Sequence, residues 1–396
     1  MQKATPRKAR LHNTQLVRKI IYGNGPISRA EIARITRLTP PTVSEVVTGL
    51  IESGWVEEVG YAPSSSGRRA ILLSVVNDSR QLIGIDLSRE DFRGALCDLR
   101  GKIQQRIDLP LEGRDGEAAL SLVYDLVDSL IQSTSSPLLG IGIGAPGLVN
   151  ASKGILQQSV NLNWRYIPLR SLLNKRYKLP VYLANDCQVA ALGEHIFGNH
   201  HESDLPLVVI NASWGVGAGI LIKGKLVHGS PVGAGEIGHV VVVDNGPLCA
   251  CGNHGCLEAI ASSRAIIQQV STLLLNDPNT SLRKFITDPN RIEIETICQA
   301  MNAGNEEVRQ IVLEAGRALG VAAANLVGVL GSCRILIRGS MSHFGQLLVD
   351  AIREEMDRRT LSSLARVSEV GFAGQGADIV IRGAAALILR QELGVF

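Results

Sequence analysis

"GAGEIGHVVVVDNGPLCACGNHGCLEA", residues 233 to 259, gathers three cysteines, two histidines and two glutamates around a run of four valines. Cys249, Cys251 and Cys256 cluster, whereas Cys97, Cys187, Cys298 and Cys333 are scattered through apolar or mixed segments, as reduced core thiols usually are. In a reducing compartment such a cluster binds metal more often than it forms a disulfide, and its odd count argues the same way. His239, ten residues before Cys249, completes a Cys3His set suited to tetrahedral zinc. Three thiolates and an imidazole leave no position for water, so one Zn2+ per chain would be structural. Gly252 and Gly255 let the loop fold back so that the sulfurs converge. His254 is a rival fourth ligand, and four unliganded side chains are the plainer alternative.

Outward from this stretch, 396 residues with 45% hydrophobic and 19% charged side chains read as a globular protein of two or three domains. The first residues, MQKATPRKARLHN, are basic with no apolar run behind them, unlike a secretory signal, so a cytoplasmic location is expected and no membrane partner. The nearly apolar stretch from Ala318 to Gly331 is shorter than the ~18 residues of a membrane span and reads as a buried helix. The net charge of +3 is unevenly divided: residues 1 to 72 hold eleven Lys and Arg against five Glu, leaving −3 for the remainder.

That basic segment has a helical pattern. Leu16, Val17, Ile20 and Ile21 form a first apolar stripe that stops at Gly23–Pro26. Ser28 precedes a second short helix, RAEIARIT, with Ile32 and Ile35 expected inward; a turn at Leu38 and Thr39 follows. Thr39 as N-cap and Pro40 as first helical residue open a third helix, in which Val43, Val46, Val47, Leu50 and Ile51 face inward. Pro41, Thr42, Ser44, Glu45 and Thr48 are left outside. WVEEVGY and AILLSVV read as two strands of a wing whose tip carries Arg68 and Arg69. Small polar groups on an exposed second helix, with arginines for phosphates, are what major-groove docking requires, so a winged helix-turn-helix binding operator double-stranded DNA is expected. A protein-interaction module with a solvated basic face is the alternative.

The body is α/β. LIGIDLS, FRGALCDL and KIQQRIDL have strand length, a helix is expected from Glu117 to Ile131, and LLGIGIGAPG follows as a buried strand. A second such set begins at Leu205, which suggests a duplicated architecture with a cleft between lobes. The expected division is a DNA-binding domain at 1–72, a linker at 73–80, a small lobe at 81–188 completed by a C-terminal helix at 378–396, and a large lobe at 189–377 carrying the zinc site and an oligomerisation surface. Two glycine patterns are decoys. Gly142, Gly144 and Gly147 match a dinucleotide loop, but Pro146 interrupts it and no helix follows; Gly219, Gly224 and Lys225 match a phosphate loop except that Leu226 stands where Ser or Thr must reach magnesium.

Taken together, GAPG at 144–147, NDCQVAALGE at 185–194, GVGAGI at 215–220, GAGEIGH at 233–239, CACGNHGCLEA at 249–259 and the winged head resemble the ROK family of repressors, open reading frames and kinases. The resemblance implies a two-lobed, actin-like, sugar-kinase fold closing on a sugar or sugar phosphate. It also implies sugar contacts from Asn185 and Asp186, from Glu236 and His239 of the ExGH pair, and from Glu258, with Asn163 and Trp164 at the pocket's edge. A sugar's hydroxyls both donate and accept, so carboxylates and amides suit it. In family kinases Asp186 would be the general base. The family's first phosphate loop, however, reads DxGGT, whereas Asp86 is followed by LSRED. Ser213 and Trp214 replace the family's Gly and Thr, and RGS at 338–340 replaces a late GGG. Without glycines, backbone N–H groups cannot approach phosphate. The expectation is a sugar-responsive repressor of carbohydrate genes that is not an enzyme, acting as a homodimer or homotetramer. A sugar kinase bearing a DNA-binding head, and a repressor titrated by a protein partner, are the alternatives.

Overall fold

The computed structural model describes residues 6–63, 69–198, 204–229, 232–277, 279–289, 291–374 and 376–395. The chain divides into two compact units, residues 1–186 with 380–396, and residues 187–379. The helical head shares the first unit with the lobe that follows it.

In the head, α1 (Pro6–Asn24) buries Val17, Ile21 and Tyr22. Helix α2 (Arg29–Thr36) is capped by the Ser28 hydroxyl, which accepts from the Glu31 N–H. Helix α3 (Pro40–Glu52) starts from Thr39, whose hydroxyl accepts from the Thr42 N–H, and Pro40 sits where no N–H is needed. Val43, Val46, Val47 and Leu50 are buried along α3. Ile35, expected inward, is 39% exposed. It lies about 60° around the helix from Ile32, and α2 is two turns long with Ile32 as its buried residue. A short β1 (Ile27–Ser28), β2 (Val56–Tyr61) and β3 (Ile71–Val75) form an antiparallel sheet in the order β1-β3-β2. Strand β3 runs to Val75, so residues 73–75 lie in this antiparallel sheet.

The lobe that follows contains β4 (Gln81–Leu87), β5 (Asp91–Cys97), β6 (Ile103–Pro110), α4 (Gly116–Gln132) and β7 (Leu138–Ala145). A small sheet of β8 (Leu148–Asn150), β9 (Ile155–Ser159) and β10 (Trp164–Ile167) leads to α5 (Leu169–Tyr177) and β11 (Val181–Asn185). The main sheet is ordered β11-β7-β4-β5-β6: β4, β5 and β6 pair antiparallel, and β7 and β11 are added in parallel. Ile83, Ile85, Phe92, Leu126, Ile143 and Trp164 lie in one core.

The decoy glycines have a packing reason. The C-terminal helix (Ile379–Ile388) lies so close to the sheet that a Cβ on Gly142 would sit 1.9 Å from the Ala384 carbonyl oxygen, and one on Gly84 2.2 Å from that of Ile381. Gly142→Ala is therefore expected to destabilise the protein by about 3 kcal/mol, the upper range for overpacking, because the clash is with backbone that cannot rotate away. Urea unfolding measures it, and a midpoint equal to the wild type would refute this account of the glycine.

The second unit begins with α6 (Asp186–Phe197), whose first residue closes the first unit. Its sheet contains β12 (Leu207–Ala212), β13 (Val216–Ile222), β14 (Lys225–Leu226), β15 (Arg334–Arg338) and β16 (Glu369–Phe372) in the order β14-β13-β12-β15-β16. Again three antiparallel strands are extended by two parallel ones, so the two units repeat one topology. Lys223 and Gly224, both at positive φ, make the β13–β14 hairpin turn, which disposes of the phosphate-loop reading there. Helices α7 (Glu258–Ala261), α8 (Ser263–Asn276), α9 (Ile294–Asn302), α10 (Glu306–Leu330), α11 (Gln346–Arg359) and α12 (Ser362–Ala365) complete the unit. Helix α10 is long and apolar enough to span a membrane by composition, but Val312, Leu319, Ala323 and Val327 lie in the unit's core.

Candidate metal centre and ligand-facing strand ends

His239, Cys249, Cys251 and Cys256 each present a donor atom, and the four atoms lie within 4.8 Å of one another. The Cys249 sulfur is 3.7 Å from His239 Nδ1, and the Cys251 and Cys256 sulfurs are 3.6 Å apart. A tetrahedral ion about 2.3 Å from each sulfur sets its donors roughly 3.8 Å apart, so the cluster can hold one metal ion. The local chain explains the convergence. Isolated bridges pair Val241 with Cys256 and Leu248 with His254, and the Cys249 N–H donates to the Asn253 carbonyl. Gly255 has φ +72° and a Cβ there would meet the Val243 oxygen at 1.7 Å, so no other residue fits. The His254 ring instead faces the Gly246 carbonyl at 3.2 Å and is not part of the cluster.

Burial pushes the Cys256 thiol up to about 12 and the Cys249 thiol up as well, while the Asn253 backbone N–H draws exposed Cys251 down to about 7. Two buried thiols therefore keep their protons unless a cation takes their place.

On either side of the cluster, the segments that carry Glu236 and Glu258 are braced against β13. Gly235, at φ +95°, lies so close to β13 that a Cβ would fall 1.9 Å from the Ala218 oxygen; this pins the residue before Glu236. Glu258, at the start of α7, accepts from the Val216 N–H at 3.1 Å and lies 3.7 Å from Arg264. Neither Arg264 nor the role of β13 as a second anchor was visible in the sequence, where nothing marks the pairing.

In the first unit, Asn185 ends β11 opposite Ala145 of β7, and Asp186 opens α6. Both thus stand at the carboxyl end of parallel strands, where open α/β sheets bind ligands. The Asn185 amide donates to the Gly147 carbonyl at 3.0 Å. Asn163 is exposed, in a turn at φ +51°. Trp164, expected at a pocket edge, is instead 1% exposed in the core, with its indole N–H donating to the Gly116 carbonyl at 2.7 Å. A ring of that size buries more apolar area inside the lobe than a pocket rim would allow.

The segments that depart from the family's phosphate loops are engaged with other groups. Asp86 is buried and directly opposite Arg93 across β4 and β5, and their side chains pair at 2.7 Å. The intervening turn is closed by the Ser88 hydroxyl, which donates to the Asp91 carboxylate at 2.6 Å. In the second unit the Ser213 hydroxyl accepts from the Ser340 N–H at 3.1 Å, joining the second and late segments. Arg93 is a further residue that sequence reading missed; its place across from Asp86 follows from a strand register that only the fold fixes.

On the head, Pro41, Ser44, Glu45 and Thr48 are exposed along α3 and Thr42 is partly so, its hydroxyl 2.8 Å from that of Thr39. Glu45 pairs with Arg10 at 3.2 Å. Arg69 is exposed; Arg68 lies outside the described residues.

The ROK family model matches residues 82–391. The chain belongs to the ROK family. It is 33% identical over 389 residues to the xylose repressor of Caldicellulosiruptor bescii, covering 96% of each chain. A solved ROK family transcriptional regulator, a homologue of the E. coli Mlc protein, matches with a TM-score of 0.86 at 28% identity over 97% of this chain and 96% of that one. A ROK family glucokinase from Streptomyces griseus, solved with glucose and AMPPNP, matches with a TM-score of 0.69 at 28% identity, covering 98% of that chain but 78% of this one. The family model begins at residue 82, so the head lies outside it, while the two regulators match nearly end to end.

Proposed function

We propose that this ROK protein is a sugar-responsive, DNA-binding transcriptional repressor of carbohydrate uptake or catabolism genes, and that it works in the cytoplasm as a homodimer or homotetramer. The observation that carries the reading is the Asp86–Arg93 pair. The carboxylate heading the family's phosphate loop is neutralised by a cross-strand arginine, while Asn185 and Asp186 keep their place at the strand ends. The sugar contacts are Asn163, Asn185 and Asp186 from the first unit, and Glu236, His239 and Glu258 from the second. His239 turns Nδ1 toward the cluster, which leaves Nε2 for a sugar hydroxyl. One structural zinc, held by His239, Cys249, Cys251 and Cys256, keeps the segments of Glu236 and Glu258 in place. Three thiolates and an imidazole are zinc's donor set. Sugar binding changes operator affinity by favouring one arrangement of the DNA-binding heads over another, to the extent of its differential affinity for the two.

A thermal-shift panel of monosaccharides and their phosphates, with D-xylose included because a relative is named a xylose repressor, followed by operator binding with each hit, tests the reading. A sugar that raises Tm and shifts operator affinity supports it; a panel without any such sugar overturns it.

Operator contact is assigned to Pro41, Thr42, Ser44, Glu45 and Thr48 on α3 and to Arg68 and Arg69 on the wing, with a two-fold operator for a dimer. Arg68→Ala with Arg69→Ala is expected to weaken DNA binding and to reduce the slope of log K against log salt by about 2, since each phosphate contact releases roughly one counterion. Fluorescence anisotropy across a salt series reads the slope. An unaltered slope would remove the wing from the phosphate backbone.

A further inference from the structure

We propose that Tyr182, Glu392 and Arg18 are positioning residues that carry the state of the sugar-facing strand end to the DNA-reading helix. The inference rests on the functional reading above for its biological meaning, but its residues all belong to the first unit, and their contacts stand independently of it.

Tyr182 lies on β11, three residues before Asn185 and four before Asp186. Strand β11 is an edge strand whose strand partner is β7, and Arg170 Nε donates to its Val181 carbonyl at 3.0 Å, which leaves the Tyr182–Asn185 end on the single ladder. A strand held by a single ladder moves more readily than a central one, and a short strand moves as one piece. A displacement at Asn185 therefore reaches Tyr182. The Tyr182 hydroxyl donates to Glu392 Oε1 at 2.5 Å, a short charge-assisted bond. Burial and this carboxylate push the phenol up to about 12, which keeps the proton on the donor across the working pH range.

Glu392 sits where the C-terminal helix opens into a wider turn, Leu389–Leu393. Such widened turns are concentrated at functional sites. Its main-chain carbonyl accepts from the Arg18 guanidinium at 2.7 Å, so one residue receives Tyr182 on its side chain and Arg18 on its backbone.

Arg18 belongs to α1 of the head and its guanidinium lies 4.6 Å over the Trp55 ring. The same ring carries Arg80 at 4.9 Å, and Arg80 donates to the Ser53 carbonyl at the end of α3. The Trp55 N–H donates to the Leu50 carbonyl of α3 itself. The path from strand end to reading helix is thus a chain of hydrogen bonds and ring contacts. Arg18 Nε is buried and has no partner among the described residues. Stacking on Trp55 and the Glu392 carbonyl hold the guanidinium, while its Nε donor stays unsatisfied.

Amide hydrogen exchange of the full chain tests this without knowledge of the sugar. Asp186→Asn perturbs the strand end directly. It is expected to change exchange across residues 49–56 by about 5-fold, at the lower end of common coupling strengths. In the Tyr182→Phe background the same substitution should change it by less than about 2-fold. A Tyr182 that merely supported the fold would shift the baseline and leave the response to Asp186→Asn intact. If Tyr182→Phe does not fold, Glu392→Gln, which keeps the backbone acceptor, takes its place. A full response in these backgrounds, or no response in the wild type, overturns the relay. A sugar-binding arm with D-xylose and the other panel hits separates the two ideas: equal operator response in wild type and Tyr182→Phe overturns the relay while leaving the sensor reading standing. A panel without hits removes the sensor reading, and the exchange data still decide the relay.

Discussion

Replacing Cys256 with alanine is expected to take the purified protein from one zinc per chain to none, to lower Tm by about 6–20 °C, and to abolish sugar binding. Cys256 is fully buried, and its sulfur lies 3.6 Å from that of Cys251. The remaining donors include a buried Cys249 thiol that burial holds in its protonated form. The loop has few other reasons to keep its shape. Between Val240 and Leu248 it exposes Val240, Val241, Val243 and Leu248 and contributes two isolated bridges in place of a ladder. Structural zinc supplies roughly 10–16 kcal/mol in small peptides at neutral pH. A contribution of even about 3–5 kcal/mol in this larger unit, at roughly 2–4 °C per kcal/mol, gives the range stated. Glu236 and Glu258 flank the cluster, so their placement is expected to go with it. Cys298→Ala is the control, since Cys298 is a buried thiol far from the cluster in sequence and outside the donor set. Elemental analysis, calorimetry and sugar titration read the outcome. A variant that retains zinc, or one that loses it and still binds sugar, would defeat this assignment.

How far such sites can be read from sequence depends on whether their geometry is local. The four-donor cluster was legible because donors within 18 positions of a glycine-containing loop can meet only by folding back; that His254 stays out of it, its ring on the Gly246 carbonyl, came from the structure. The head was legible for the same reason: caps at Ser28 and Thr39 and the stripe of Val43, Val46, Val47 and Leu50 are properties of neighbours along the chain. The duplication was legible as a repeated succession of hairpins, helices and strands, while the strand orders themselves came from the fold. Ile35 and Trp164 were misjudged because tertiary packing sets their burial: Ile35 stays 39% exposed, and Trp164 is drawn into the core with its indole N–H on the distant Gly116 carbonyl. Arg93, Arg18 and Glu392 were not legible at all. Their roles come from a cross-strand register and from a contact between residues 374 positions apart, which no periodicity encodes.

Incubation with ATP, magnesium and a sugar shown to bind is expected to yield no sugar phosphate above a rate of about 10⁻³ per second, at least ~10³-fold below typical enzyme turnover. A deficit of that size corresponds to about 4 kcal/mol of missing transition-state stabilisation, and phosphoryl transfer draws nearly all of its stabilisation from positioned phosphate and metal contacts. Those contacts are missing in a specific way. Asp86 spends its charge on Arg93, the β4–β5 turn is Ser88, Arg89 and Glu90 with no glycine, and the Ser88 hydroxyl is committed to Asp91. Ser213 and Ser340 bond each other where the family carries glycines toward nucleotide. In the proposed reading Asp186 would accept a hydrogen bond from a sugar hydroxyl whether or not a phosphate stands in line with it, so sugar binding is expected to survive the loss of catalysis. Arg93→Gly sharpens the argument: freeing Asp86 alone is expected to restore no activity, because the turn still cannot bring backbone N–H groups to a phosphate. Turnover near 1 per second in the wild type would return the protein to the kinases of its family, and turnover appearing only in Arg93→Gly would show that a single ion pair, and not the loop sequence, separates sensor from enzyme.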